Sequence, residues 1–194
     1  NIFNDVILKY HEKDDIDFEY KNPFKPKTLE YLLFEKCWID TVQWHLEDII
    51  RKPNLSPKIA LEIKKRIDTS NQNRTDIVEK IDDYYFNIFK TIKTQNNKIN
   101  TESPGWVVDR MSILCLKIYH MKEQFFRENI TDNHLENCNK KLMILNTQQK
   151  DLSNSFDELL EDYEKGIKII KVYRQMKMYN DSSLNPELYR KRKL

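Results

Sequence analysis

The stretch Trp-His-Leu-Glu-Asp at residues 44–48 returns as Tyr-His-Met-Lys-Glu at residues 119–123, 75 positions later. The same offset holds without gaps along two long segments of the chain. It pairs identical residues in both: His45/His120, Asn54/Asn129, Lys65/Lys140, Asn71/Asn146, Asp76/Asp151 and Asp82/Asp157. Self-similarity at a fixed spacing is the signature of a structural unit used more than once. The sequence therefore predicts one helical hairpin that occurs twice.

Helix starts are marked by proline and by small hydroxyl residues. Pro57 and Pro104 each follow a serine, and proline suits the first position of a helix because no N–H is needed there. A Ser or Thr at the N-cap accepts a hydrogen bond from a free backbone N–H of the first turn. We predict helices at 29–51, 57–93, 104–127 and 132–176, with Thr28, Ser56, Ser103 and Thr131 as their N-caps.

Apolar residues recur within these helices at steps of three, four and seven, which is typical of helices that pack on one face. The connections between successive helices are short, and short connections favour antiparallel neighbours. We predict an all-α fold: one helical domain over 1–194 with an up-down antiparallel four-helix bundle, built from hairpins 28–93 and 103–176. A short N-terminal helix at 1–12 should cover the overhanging ends of the second and fourth helices, and 177–194 should form a tail.

The amino-acid composition limits the functional classes and the cellular locations that fit this protein. The chain has 33 basic and 31 acidic residues and a net charge of +2, so it lacks the basic excess expected of a nucleic-acid-binding protein. Cys37, Cys115 and Cys138 have no metal-ligand spacing, which favours reduced thiols and a cytoplasmic location. No apolar run is long enough for a membrane span. Because the chain begins with Asn1 and not Met, we expect a short N-terminal stretch to precede it.

Polar residues interrupt the apolar stripe at matching places in the second and fourth helices. Counting back from the turn at residues 53–55 places Arg74 level with Phe34, and the offset of 75 carries Phe34 to Asp109. We therefore predict a buried pair of Arg74 with Asp109, since a buried charge needs an opposite partner. Bracing side chains would be Asn71, Asn146 and Gln149. The layer either fixes the register of the bundle or binds an anionic ligand through Arg74.

Two histidines form a second group of candidates. In His45-x-x-Asp48 and His120-x-x-Glu123 each pair lies on one helical face. Helical bundles do bind metals through histidines and carboxylates, but di-iron bundles use the order Glu-x-x-His. A hydrogen-bonded histidine pair is the favoured interpretation, and metal binding by these four residues is the alternative.

Motifs of common enzymes are absent from the sequence, including glycine-rich phosphate loops, G-x-S-x-G and HExxH. The segment after the fourth helix is rich in tyrosine and methionine, and residues of these types are favoured in protein interfaces. Lys177, Met178, Tyr179, Asn180 and Asp181 are therefore candidates for binding a partner. The alternative is that this segment folds back on the bundle.

Several stretches together resemble a bacterial family, domain-of-unknown-function family 4254. The motifs that carry the resemblance lie at 44–48, 71–76, 102–105, 109–114, 117–121, 177–181 and 184–186. The resemblance implies that His45, Asp48, Asn71, Arg74, Asp109 and His120 belong to the family pattern. It also suggests a link to the assembly of cell-surface glycans, and it implies no activity.

Two functions follow from these observations. The first is a non-enzymatic accessory or scaffold module that binds another protein. The second is a small-ligand binder or an enzyme that acts on an anionic substrate through the polar layer, with His45 and His120 as further candidates. No cofactor is predicted. The sequence leaves the ligand, the partner and the oligomeric state open, and it is compatible with a homo-oligomer.

Overall fold

The structure is a computed structural model that describes residues 1–94, 98–179 and 181–189. All regular secondary structure in these ranges is helical, as the sequence predicts. The helices are α1 Ile2–His11, α2 Leu29–Ile50, α3 Pro57–Phe89, α4 Pro104–Glu123, α5 Asp132–Glu164 and α6 Pro186–Tyr189, with a 3₁₀ turn at Gln124–Phe126.

The predicted N-caps begin the four long helices. The side chains of Thr28, Ser56 and Thr131 each accept a hydrogen bond from the backbone N–H three residues on. Ser103 occupies the N-cap position of α4, but its hydroxyl makes no capping hydrogen bond. Its hydroxyl donates instead to Asp82 of α3, which also accepts the N–H of Gly105 at 2.6 Å.

Gly105 has a structural reason to be glycine. A Cβ at this position would lie 2.4 Å from the carbonyl oxygen of Val78 and 2.8 Å from Asp82. The start of α4 therefore packs directly on the backbone of α3. This contact accounts for the Ser-Pro-Gly part of the motif at 102–105.

Helix ends differ from the prediction, and α5 differs most. It ends at Glu164, not at residue 176, because Gly166 adopts a left-handed conformation with φ of 65°. The N–H of Ile167 then bonds back to the carbonyl of Asp162 at 2.8 Å, which is a common way for a helix to stop. The other ends are shorter by a few residues: α2 ends at Ile50, α3 at Phe89, and α4 at Glu123 before its 3₁₀ turn.

The N-terminal helix does not cover the overhanging ends of α3 and α5, so its predicted placement is wrong. α1 packs against α2 and α4, and Phe3, Val6, Ile7 and Tyr10 are buried there. The overhang is covered instead by the chain that turns back after Gly166. Ile170 is buried there, and it belongs to the same apolar core as Phe89, Phe156 and Tyr163.

The four long helices contact each other unevenly. α2 packs against α3, α4 against α5, and α4 also packs against α2 and α3. α3 buries ten residues, whereas α5, which has the same length, buries four. All three cysteines are buried and none forms a disulfide. None of the helices in the described ranges combines the length and hydropathy needed to cross a bilayer.

Candidate functional site

Four charged side chains meet in the interior where α2, α3 and α4 pack together. Lys36 and Asp40 of α2 are fully buried and contact each other. Lys36 Nζ also lies 2.9 Å from Asp109 Oδ1 of α4. Arg74 of α3 reaches both acids, with Nε 2.8 Å from Asp40 Oδ1 and Nη2 2.9 Å from Asp109 Oδ1. Ser112 donates to Asp40 Oδ2 at 2.5 Å. We call these five residues the charged cluster.

The charges of the cluster balance, with two cations and two anions. Burial alone would lower the pKa of Arg74, but Asp40 and Asp109 outweigh it and raise that pKa. Burial would raise the pKa of Asp109, but Lys36 and Arg74 lower it. Both groups are therefore held in their charged forms. Loss of one member of such a buried set costs about 3–5 kcal/mol, because an uncompensated charge remains.

The predicted contact of Arg74 with Asp109 is present, but the two side chains are half-buried and not buried as predicted, with 24% and 15% exposed. Lys36, Asp40 and Ser112 are not predicted from the sequence. The offset of 75 carries Asp40 to Cys115 and Arg74 to Gln149, but it does not by itself predict that either pair is in contact. Gln149 Nε2 lies 3.3 Å from Cys115 Sγ. These two positions are therefore in contact in both helix pairs.

The three residues that were predicted to brace the Arg74–Asp109 pair make different contacts. Asn71 accepts a hydrogen bond from Gln43 at 2.8 Å, and Gln43 in turn accepts one from Ser70. Asn146 is exposed on α5, and Gln149 bonds to Cys115. The prediction that Asn146 and Gln149 brace the Arg74–Asp109 pair is therefore wrong, because this part of α5 packs on α4 and does not reach the cluster.

A cleft of about 770 Å³ between α3, α4 and α5 reaches the edge of the charged cluster. Arg74 and Asp109 border it, together with Ile113, Lys117 and Gln148. The guanidinium of Arg74 already faces two carboxylates, so an anion that entered the cleft would compete with both. This geometry favours a structural role for Arg74 over the anion-binding role.

The histidines lie on the other side of α2 and α4, where α1 packs. The predicted hydrogen bond between His45 and His120 is not present: His45 bonds to His11, which is not predicted from the sequence, and His120 bonds to Glu123. The three histidine rings lie together. Glu123 bonds to His120, as its spacing suggests, with 2.6 Å between Oε2 and Nδ1. Asp48 makes no such bond to His45. It is exposed, and Asp14 takes the corresponding place, 3.8 Å from His45 Nδ1. Burial lowers the pKa of His45, and the neighbouring His11 lowers it further.

The segment after α5 folds back along α3 through polar contacts. Arg174 pairs with Asp83 at 2.9 Å, Gln175 accepts from Thr75 at 3.1 Å, and Lys177 donates to the carbonyl of Asn71 at 2.8 Å. Of the other partner candidates, Met178 and Tyr179 are exposed, and Asp181 accepts from Ser183. Asn180 and residues 190–194 of the predicted tail lie outside the described residues.

A comparison with protein families identifies the family to which the chain is similar. The family model described as "Protein of unknown function (DUF4254)" matches residues 30–172, which is most of the 194-residue chain. The match contains the whole charged cluster together with His45 and His120. It excludes α1 with His11, and it stops before the motifs at 177–186. No curated protein and no solved structure gives a significant match.

Proposed function

We propose that this chain, which belongs to the DUF4254 family of proteins of unknown function, is an accessory module that binds another protein through residues 173–189. The observation that carries the proposal is the difference between the polar and the apolar side chains of this segment. Its polar side chains attach it to α3, while its large apolar side chains are exposed. The exposed residues, which we call the C-terminal strip, are Tyr173, Met176, Met178, Tyr179, Leu184, Leu188 and Tyr189.

The exposure of this segment is high for apolar residues. Tyr173 is 72% exposed and Met176 is 79% exposed. Their neighbours in sequence, Arg174, Gln175 and Lys177, nevertheless hydrogen-bond to α3. An apolar strip of this kind on a protein surface marks an interaction site more often than chance exposure does. Tyrosine and methionine are also enriched at the centres of interfaces.

The charge of the segment indicates the kind of partner. Within residues 173–189 the two basic residues balance the two acidic ones, but the sequence on either side is basic: 165–171 and 190–194 add seven Lys and Arg and no Asp or Glu. An apolar strip flanked in sequence by basic residues complements a partner surface that is apolar and bordered by acidic residues. The family resemblance makes an enzyme of cell-surface glycan assembly the first partner to look for. The free cysteines support a reducing compartment, and we place the module in the cytoplasm.

The proposal includes the architecture that presents the strip. We infer an up-down bundle of α2, α3, α4 and α5 in which the pairs α2–α3 and α4–α5 are two copies of one hairpin. The equivalent contacts Arg74–Asp40 and Gln149–Cys115 support this inference, since the offset of 75 relates both residues of the second contact to those of the first. In this arrangement the charged cluster stabilises the bundle, and the C-terminal strip binds the partner.

The test is native purification of the full chain from its source cells, with the proteins in the eluate quantified by mass spectrometry. We expect one stoichiometric partner that is released at high salt, because screening weakens exposed charge pairs. A variant with Tyr173, Met176, Met178 and Tyr179 changed to Ser should lose the partner. Its helical content by circular dichroism should stay that of the unchanged chain.

The matched control changes Ile59 and Leu61 to Ser. Both are exposed apolar residues of α3, but they lie near its start, away from residues 71–83, which the C-terminal segment contacts. This control should keep the partner. Equal retention by the strip variant and the control would overturn the proposal, and so would a chain that purifies alone under conditions that preserve other complexes.

A further inference from the structure

Three imidazole rings from three helices converge at one place. His11 is the last residue of α1, His45 lies in α2 and His120 in α4. One ring nitrogen of each lies within 4.8 Å of one ring nitrogen of each of the others. The nearest approach joins Nε2 of His11 to Nε2 of His45, at 3.2 Å. Such convergence is not produced by the internal repeat, because His11 lies outside both of its segments.

Each of these rings is held in place by an aromatic neighbour. Tyr10 stacks on His45 with ring centroids 4.8 Å apart, and Trp44 stacks on His120 at 4.7 Å. The ring of Tyr119 lies against His11 at 4.3 Å. The rings are thus positioned by packing before any ligand arrives, as a preorganised site requires.

The outer nitrogen of each ring faces an oxygen atom. Nδ1 of His11 donates to the carbonyl of Ile7 at 2.7 Å, and Nδ1 of His120 lies 2.6 Å from Glu123 Oε2. Nδ1 of His45 lies 3.8 Å from Asp14 Oδ1. Histidines that bind metals almost always donate their other N–H to a carbonyl or a carboxylate, which fixes the tautomer and leaves Nε2 free for the ion.

The inner nitrogens are poorly satisfied by the protein itself. Nε2 of His120 is buried and has no hydrogen-bond partner among the described residues. His11 keeps its proton on Nδ1 for Ile7, so its contact with His45 at 3.2 Å needs a proton on Nε2 of His45. Two nitrogens bound to one tetrahedral zinc ion at about 2.0–2.1 Å would be about 3.3 Å apart, close to the 3.2 Å between His11 and His45. The three ligand nitrogens lie within 4.8 Å of one another, so small movements of the rings would complete the site. An ion would move the proton of His45 to Nδ1, beside Asp14.

We propose that His11, His45 and His120 bind one zinc ion through Nε2, with Ile7, Glu123 and Asp14 as the oxygen partners of their outer nitrogens. The site joins α1 to α2 and α4, so the ion would fix the N-terminal helix on the remainder of the protein. This proposal is independent of partner binding by residues 173–189.

The experiment uses the full chain without a histidine tag, freed of metal with EDTA and titrated with zinc chloride in a calorimeter. We expect one ion per chain, and a melting temperature raised by roughly 5–10 °C when free zinc is about 100 times Kd. Cobalt chloride in place of zinc should give the visible absorption of a low-coordinate site. Each of the changes His11→Gln, His45→Gln and His120→Gln should abolish both responses.

Two further variants keep the test decisive if a ligand variant folds poorly. Glu123→Gln keeps all three ligands and should weaken zinc binding about 10–100-fold without changing the circular dichroism. His134→Gln is the matched control, because it removes the fourth histidine of the chain, which lies beside Cys138 on α5. Loss of zinc binding in His134→Gln but not in His11→Gln would overturn the proposal. The absence of any heat of binding or thermal shift up to about 100 μM zinc would also overturn it, since that concentration is at least about 10³ times the Kd of a built zinc site.

Discussion

The first helix pair, α2 and α3, is joined by charge, whereas the second pair, α4 and α5, is joined at the corresponding positions by a neutral contact. Arg74 lies 2.8 Å from Asp40 in the first pair. At the repeat-equivalent positions of the second pair, Gln149 lies 3.3 Å from Cys115. Two contacts whose residues are related by the offset of 75 therefore differ in chemistry.

The difference follows from what surrounds each contact. Next to the first pair, α4 contributes Asp109 and Ser112, so each charged side chain of the cluster has an oppositely charged partner. α5 packs mainly on α4 and meets α3 through aromatic rings near the ends of both helices, and Met111 stands at the position equivalent to Lys36. A buried charge at Cys115 or Gln149 would lack such partners, and unpaired buried charges are strongly unfavourable.

The largest expected effect comes from breaking the charged contact alone. Asp40→Ala leaves Lys36 and Arg74 sharing one acid, and the free energy of unfolding should fall by about 3–5 kcal/mol. Cys115→Ala, at the corresponding position, should cost only about 1 kcal/mol. Urea unfolding followed by circular dichroism measures both, and equal costs would show that the cluster does not hold the fold.

A double-mutant cycle tests the same comparison. It places in the first helix pair the Gln and Cys that the second pair has at the corresponding positions. Arg74→Gln and Asp40→Cys each unbalance the cluster, but together they leave Lys36 paired with Asp109. The double variant should therefore be more stable than the sum of the single effects predicts, by about 1–3 kcal/mol. Strict additivity of the two effects would contradict the claim that the charges act as a unit.

A further contrast lies at Asp82 and Asp157, which are also equivalent in the repeat. Asp82 is buried and accepts from Ser103 and from the N–H of Gly105, whereas Asp157 is exposed. Asp82→Ala should cost about 2 kcal/mol, because a buried N–H loses its acceptor. Asp157→Ala should change the unfolding free energy by less than about 0.5 kcal/mol. Chemical denaturation of each variant measures both changes in the free energy of unfolding.

The smallest expected effect is a pair of opposite pH dependences. Despite the opposing effect of burial, Lys36 and Arg74 lower the pKa of Asp109, so its stabilising contribution is present above the ordinary value of 3.8 and is lost as the pH falls through its folded pKa. Burial raises the pKa of Asp82 above 3.8, so the folded state takes up that proton first and gains stability as the pH falls toward 3.8.

Unfolding measured from pH 6 to pH 3 separates these two contributions. Relative to the unchanged chain, Asp109→Asn should remove a loss of stability on acidification, and Asp82→Asn should remove a gain. Each slope is at most about 1.4 kcal/mol per pH unit, since one proton is involved. Slopes of the same sign would contradict the account of the two carboxyl groups.

The sequence was sufficient for the helix starts because caps are local. Thr28, Ser56 and Thr131 act within one turn of their own helices, and their roles are confirmed. The end of α5 was mispredicted because apolar spacing continues past Gly166 in Ile167 and Ile170, while the left-handed glycine stops the helix. The apolar face of α1 was recognised, but an apolar stripe does not specify which helices it will contact.

The candidate site was predictable only in part. Arg74 and Asp109 could be paired because they fall at the same height of the predicted bundle. Lys36 and Asp40 were missed because Lys and Asp four residues apart on a helix are usually solvent-exposed. His11 was missed because it has no equivalent in the internal repeat, so that only the packing of α1 brings it to His45 and His120.

The central claim is that the charged cluster holds the fold while the C-terminal strip binds a partner. The most direct measurement is the mass of the purified complex by light scattering, for the unchanged chain and for the variant with Tyr173, Met176, Met178 and Tyr179 changed to Ser. We expect a complex for the first and a free chain for the second, with equal free energies of unfolding. A complex of undiminished mass in the variant would contradict it.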